Sequence, residues 1–250
     1  MANSHKIGNP LIELSTVDST NNYAMHLINE NMAVHGLVVR ADYQTHGKGQ
    51  HGNIWKAEES KNLLLSILLD MREIRLEDQF LINATFCLAT ANLLMDEYEI
   101  PEISIKWPND VYAGNRKIAG ILIENVIRGT DWQYAIVGIG VNINQLAFPE
   151  LTSAISLKQI TKKNHSVPKC TKVFLKYLNA QYAKFDENRA EVLDEYNSLL
   201  MGHQQQISYV YKHELRSGKL LFVEKSGEIS IQTNTGKESY RHKEIELEIQ

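Results

Sequence analysis

The stretch Lys106-Trp107-Pro108-Asn109-Asp110-Val111-Tyr112-Ala113-Gly114-Asn115-Arg116-Lys117-Ile118-Ala119-Gly120-Ile121-Leu122-Ile123-Glu124 decides how the chain is read. Ile103, Ile105 and Trp107 alternate with Ser104 and Lys106, the period of a half-buried strand. Pro108 has no N–H for a ladder and keeps Trp107 extended, so the strand is expected to stop there. Asn109 and Asp110 then place short polar side chains at the strand end. Gly114-Asn115 is a hairpin turn signal. The returning strand opens with Arg116 and Lys117 and runs apolar from Ile118 to Ile123, interrupted only by Gly120. A glycine inside a strand marks a close approach by another group. One hairpin is thus expected to carry two lysines, an amide, a carboxylate and a bare glycine.

Outward from this hairpin, two further stretches share its chemistry. Gly47-Lys48-Gly49-Gln50-His51-Gly52-Asn53-Ile54-Trp55 separates an expected strand, Leu37 to Gln44, from a buried one, Asn62 to Leu69. Its glycines fit a dinucleotide fingerprint, but no helix pattern follows. A protein kinase would need His-Arg-Asp and Asp-Phe-Gly strings, and a P-loop a Gly-Lys-Ser/Thr ending; all are absent. What the loop offers is a backbone able to fold over an anion, a point charge on Lys48, and the flat face of Trp55 for a purine. The third stretch is Gly138-Ile139-Gly140-Val141-Asn142-Ile143-Asn144, which continues a strand begun at Trp132. Period two sorts it into a core face of Val137, Ile139, Val141 and Ile143, and a bare face of Gly138, Gly140, Asn142 and Asn144. Small and polar residues on one face suit a pocket floor.

The Lys-Trp-Pro-Asn-Asp string and the Arg116-to-Glu124 run resemble the catalytic core of biotin protein ligases. The glycine loop ending in Trp55 and the Gly-x-Gly-x-Asn string are similar to that family's other motifs. Lys48 and Gln50 stand where its commonest pattern has arginines. The resemblance implies an α+β fold: a mixed-sheet catalytic domain of the biotin/lipoate ligase, class II synthetase-like type, over 1–201, and a small SH3-like β barrel over 202–250. It implies that biotin reacts with ATP to give biotinyl-5'-AMP and pyrophosphate, and that biotin then passes to a lysine of a biotin carboxyl carrier protein. Lys117 is the expected catalytic cation, and Asp110 the base or orienter of the acceptor amine. Ser19, Thr20, Asn21, Gln44, Gly47, Lys48, Gln50, Lys117, Gly120, Gly138 and Gly140 are expected around biotin. Lys48, Gln50, Asn53, Trp55, Lys106, Asn109 and Asn142 are expected around ATP. Asn109, Asp110 and Asn142 carry oxygens suited to Mg²⁺ or its waters. On spacing alone Ser19 and Thr20 read as helix caps; the family's similar Ser-Thr-Asn string lines the biotin site. A lipoate ligase of the same fold, a non-catalytic biotin or nucleotide sensor, and an aminoacyl-transfer enzyme are the rival readings.

Composition fits this picture. The chain has 250 residues, 43% hydrophobic and 22% charged, with a net charge of −4 that gives no reason for broad nucleic-acid binding. The two cysteines, Cys87 and Cys170, lie in no metal or redox spacing. No signal peptide or membrane span is read, so a reducing cytoplasm is expected, with neither membrane nor nucleic-acid partner. Too few residues precede Ser19 for a DNA-binding module, so no transcriptional role is expected; a homodimer is left open. Elsewhere, residues 1–10 read as a loose lead-in and Leu11 to Val17 as a strand. A helical stripe runs through Tyr23, Ala24, Leu27 and Ile28. Leu76 to Tyr98 reads as one long helix, and further helices are expected just after Pro168 and near Ala190 to Leu200. From Gln206, short strands are expected with turns at Ser217-Gly218, Ser226-Gly227 and Asn234 to Gly236, closing with Ile245 to Ile249.

Overall fold

The computed structural model describes residues 6–149, 151 and 153–248. Residues 1–5 of the expected lead-in and Ile249 of the expected closing strand lie outside the described residues. The chain is α+β. In order it forms β1 (Leu11–Val17), α1 (Thr20–Asn29), β2 (Val38–Gln44), β3 (Leu63–Asp70), α2 (Gln79–Asn92), β4 (Ile103–Lys106), β5 (Asp110–Ala113), β6 (Arg116–Arg128) and β7 (Asp131–Val141). Then come α3 (Leu157–Thr161), α4 (Val167–Glu187), α5 (Arg189–Ser198), β8 (Gln206–Tyr211), β9 (Glu214–Val223), β10 (Ile229–Thr233), β11 (Gly236–Tyr240) and β12 (Ile245–Glu248). Two compact units result: residues 1–76 with 116–180, and residues 77–115 with 181–250.

In the first unit the strand order is β1-β2-β3-β7-β6. β1 runs parallel to β2 and the remaining pairs are antiparallel, so the sheet is mixed. The α1 stripe Ala24, Leu27 and Ile28 packs on Val39, Leu68 and Ile136, which places the start of α1 over the same sheet face. That face reads in rows across the ladder: Leu64, Gly140, Gly120; then Ser66, Gly138, Leu122; then Leu68, Ile136, Glu124. On the other face Val137, Ile139 and Val141 are buried. The lead-in is not loose where it is described. Ile7 is buried, its N–H donates to Asn179 Oδ1 at 2.9 Å, and its carbonyl accepts from Asn179 Nδ2 at 2.9 Å.

In the second unit four expectations are corrected. The single hairpin from Lys106 to Lys117 is interrupted by β5, which pairs back on β4 with Lys106 opposite Asp110. Val111, Tyr112 and Ala113 are all buried, so no alternation betrays this strand. The long helix starts later than Leu76. Leu76–Asp78 is a tighter 3-10 turn, because the Asp78 carboxylate is spent on ion pairs to Arg189 at 2.8 Å and Lys225 at 2.7 Å instead of capping α2. Past Asn92 the helix widens into a π turn over Leu93–Glu97. Ser217-Gly218 lies inside β9, not in a turn. A Cβ on Gly218 would come within 2.5 Å of Ile231 and 2.8 Å of the Gln232 carbonyl, so the glycine admits β10. The β8–β9 turn is Lys212-His213, both with positive φ (49° and 67°), without the usual glycine or asparagine. β8 to β12 form an open antiparallel sheet, order β11-β10-β9-β8-β12; no pairing among the described residues closes it into a barrel.

Within this unit the Pro108 carbonyl accepts from Asn83 Nδ2 at 2.6 Å and from the buried Tyr196 hydroxyl at 2.9 Å. Tyr196→Phe removes one of two donors and leaves the carbonyl satisfied. The expected cost is therefore only about 0.5–1.5 kcal/mol, read as a lower urea midpoint with unchanged slope.

Candidate active site

The first unit carries most of the expected site residues, and several of them converge. Ser19 holds the N-cap position of α1 with extended backbone (φ −155°, ψ 137°), yet its side chain makes no capping bond. Thr20 is spent elsewhere: its N–H and hydroxyl both reach Gln44 Oε1, at 2.8 and 3.0 Å. The capping reading of these hydroxyls therefore fails on geometry. Ser66 lies beneath them with its hydroxyl 2.7 Å from Thr20 Oγ1 and in contact with Asn21 Oδ1. Asn21 donates from Nδ2 to Glu124 Oε2 at 2.7 Å. Thr20, Asn21 and Ser66 are all buried. The cluster is thus a small polar patch sealed between the first turn of α1 and the sheet.

The bare face of β7 is what makes room for it. A Cβ on Gly138 would sit 2.5 Å from Asn21 Oδ1, and one on Gly140 would sit 2.4 Å from the Trp55 indole. Asn21 and Trp55 therefore rest directly on backbone. The glycine loop is a closed structure. Lys48 pairs with Ile54, the Gly49 N–H donates to the Asn53 carbonyl at 2.7 Å, and the Trp55 N–H donates to the Gly47 carbonyl at 2.9 Å. Gly47 itself lies against the Trp55 carbonyl and Gln44 Nε2, at 2.4 and 3.0 Å from the Cβ it lacks. Gln50 starts the short 3-10 turn at the loop tip. Lys117 points its ammonium over the Trp55 ring, 5.6 Å from the centroid, within cation–π range. The indole Nε1 is buried with no protein partner.

Lys117, Trp55 and the glycines of the loop and of β7 are thus brought together. Gly120 faces Gly140 across the ladder. Asn142 lies at the end of the same face, its N–H donating to the Ile118 carbonyl at 2.9 Å and its side-chain amide to the Ile155 carbonyl at 3.2 Å. Lys106, Asn109 and Asp110 belong to the second unit, at the β4–β5 turn. There Asp110 acts electrostatically on its neighbours. Burial, and then the Asp110 charge, push the Tyr112 phenol up to about 12 and the Cys87 thiol well above its usual value. Two residues of the polar cluster were missed from sequence: Ser66 and Glu124. Each had a signal. Ser66 is the one polar residue in the run Leu63 to Leu69. Glu124 shares its strand parity with Gly120.

Residues 14–142 match the biotin/lipoate A/B protein ligase family. A "Bifunctional ligase/repressor BirA" of Bacillus spizizenii is 32% identical over 146 residues, which is 58% of this chain and 44% of that protein. A "Biotin--[acetyl-CoA-carboxylase] ligase" of Mycobacterium tuberculosis is 30% identical over 50% of this chain and 47% of its own. The chain thus spans less than half the length of these relatives in the matched region. Among solved structures, the biotin protein ligase of Aquifex aeolicus in complex with biotin and ATP superposes with a TM-score of 0.80 and 31% identity, over 95% of this chain and 98% of that one.

Proposed function

Because the chain belongs to the biotin/lipoate A/B protein ligase family, we propose that it is an ATP-dependent biotin–protein ligase acting on a biotin carboxyl carrier protein. The observation that carries the choice of biotin is a proton count. Asn21 must turn Nδ2 to the Glu124 carboxylate, and Gln44 must turn Oε1 to the Thr20 N–H, so both amides offer oxygen to the cluster. Three oxygen–oxygen contacts link Asn21, Ser66, Thr20 and Gln44, but only the Ser66 and Thr20 hydroxyls bring protons. One contact therefore lacks its hydrogen, and the cluster favours a ligand that brings N–H donors. The ureido ring of biotin brings two such groups; the dithiolane of lipoate brings none. Buried acceptors left short of a donor discriminate strongly against a ligand that cannot supply one.

The chemistry needs no protein nucleophile. A biotin carboxylate oxygen attacks the α-phosphorus, the bond to the bridging oxygen breaks, and pyrophosphate leaves. The chain has to hold two anions together and offset the charge that builds on the phosphate oxygens. Lys117 takes that role, with Lys48 on the loop as the second cation and Trp55 as the surface for adenine. In the second step the neutral acceptor amine attacks the acyl carbon, AMP departs, and the amine loses its proton. The roles proposed for Lys106, Asn109 and Asp110, phosphate contact and orientation of the acceptor amine, rest on the resemblance alone. Among the described residues no three His, Cys, Asp or Glu side chains group to hold a metal ion. Mg²⁺ would therefore be held chiefly by the ATP phosphates, with isolated oxygens such as that of Asn142 beside it. No helix of the described residues is long and apolar enough to cross a membrane. A cytoplasmic site of action and a separate small domain over 202–250 belong to the same proposal.

The test is pyrophosphate release with ATP and either biotin or lipoate, followed by a streptavidin blot of a carrier domain. Turnover with lipoate alone would reverse the assignment. Thr20→Val keeps the shape and removes the hydroxyl that stands in two of the three contacts, and with it the mismatch of protons on which the preference for N–H donors rests. It is expected to raise the biotin KM by about 10–100-fold, with the melting temperature little changed.

A further inference from the structure

We propose that Glu124 is a positioning residue of this site: one carboxylate oxygen sets the Asn21 carboxamide, and the other holds the glycine loop through Lys48 until a substrate phosphate takes the lysine over. The two oxygens meet different surroundings. Oε2 accepts from Asn21 Nδ2 at 2.7 Å, and Asn21 is buried against Gly138 with its own oxygen on Ser66. That bond fixes which way the amide faces, and its donor is buried. Oε1 faces Lys48 Nζ at 3.1 Å, between side chains that are 32% and 38% exposed. A half-solvated pair of this kind is weak and screened by salt.

Lys48 sits on the loop strand opposite Ile54, one residue from the Gly47–Trp55 closure, so a grip on its ammonium is a grip on the whole loop. When a phosphate draws Lys48 away, the Glu124 side chain is already partly exposed and the pair it gives up is weak. Asn21 keeps its place because it is tied to the other oxygen. The loop cation is thereby kept neutralised beside the pocket and is delivered on binding.

Amide hydrogen exchange of the intact, ligand-free protein tests this directly. In the unmodified protein, exchange across Gly47–Trp55 should speed up with added salt. Glu124→Gln keeps an acceptor for Asn21 and discards the charge; it should raise loop exchange about two- to five-fold at low salt and abolish the salt dependence. Lys48→Gln should do the same from the other side of the pair, and the double variant should go no further. Unchanged loop exchange in both single variants, or effects that simply add, would overturn the proposal. A kinetic arm rests on the biotin-and-ATP reading, whereas the exchange arm needs no ligand, so the two can fail separately. With biotin and ATP, Glu124→Gln should lower the KM for ATP, since Lys48 no longer has to be withdrawn. Glu124→Ala, which also frees Asn21, should raise the KM for biotin. A residue with only a packing role would move neither constant in this split way.

Discussion

Replacing Lys117 with alanine is expected to lower adenylate formation by roughly 10²–10³-fold and to leave the fold in place. The two halves of that expectation have different causes. The fold at this position is held by backbone: the Lys117 N–H donates to the Ser153 carbonyl at 2.7 Å, and its carbonyl accepts from the Ile155 N–H at 2.9 Å. Truncation touches neither bond. The reaction, in contrast, brings a carboxylate against a triphosphate, and the Lys117 ammonium stands over the Trp55 ring beside the Gly140 floor. Losing it leaves the charge on the phosphate oxygens without its principal counter-charge. Lys117→Arg restores charge but spreads it over a planar fork, so partial recovery is expected. Biotin-dependent pyrophosphate release and a thermal melt on the same samples decide the matter. Near-normal release by the alanine variant would remove Lys117 from its role.

Much of this site could be read before any coordinates, and the parts that could not share a physical reason. Gly138 and Gly140 were legible because period two is rigid: once Val137, Ile139 and Val141 are core, the glycines must face the other way. Trp55 was legible as a flat surface after a flexible loop. That it would lie on Gly140 was not, because nothing local fixes how the loop folds back. Ser66 and Glu124 entered the site only through pairing register. Ser66 lies opposite Gly138, and Glu124 lies in the next row, opposite Ile136. Register joins Ser66 to Gly138 across 72 positions and Glu124 to Ile136 across 12, and a single sequence does not state it. The same holds for β5, whose Val111, Tyr112 and Ala113 are buried in succession and therefore do not alternate. It holds too for the turn at Lys212-His213, which takes left-handed backbone without glycine. Asp78 moved the start of α2 through partners more than a hundred residues away. Local pattern carried the elements; non-local pairing decided which side chains they bring together.

The Gly138→Ala variant turns that last point into a measurement. Its new methyl would lie 2.5 Å from Asn21 Oδ1, 3.1 Å from Cγ and 3.2 Å from Nδ2. Asn21 has nowhere to retreat, since its Nδ2 is held by Glu124 and its oxygen by Ser66, and it is buried. The alternative is a shift of β7, which Ser66 on one neighbour and Leu122 on the other oppose through the ladder. Either response is an overpacking strain of about 1–3 kcal/mol, or several degrees in melting temperature for a chain of this size. Because the strain falls on the cluster that orients Thr20 and Gln44, biotin affinity should drop by more than about tenfold as well. The cause is separable from a general intolerance of β7 to side chains. In an Asn21→Ala background the three atoms nearest that methyl are gone, so adding Gly138→Ala there should cost much less than it does in the unmodified protein. Two mutations in contact should be non-additive in this direction. An equal cost in both backgrounds would mean that the bare face of β7 is not kept bare for Asn21, and the pocket floor would need a different explanation.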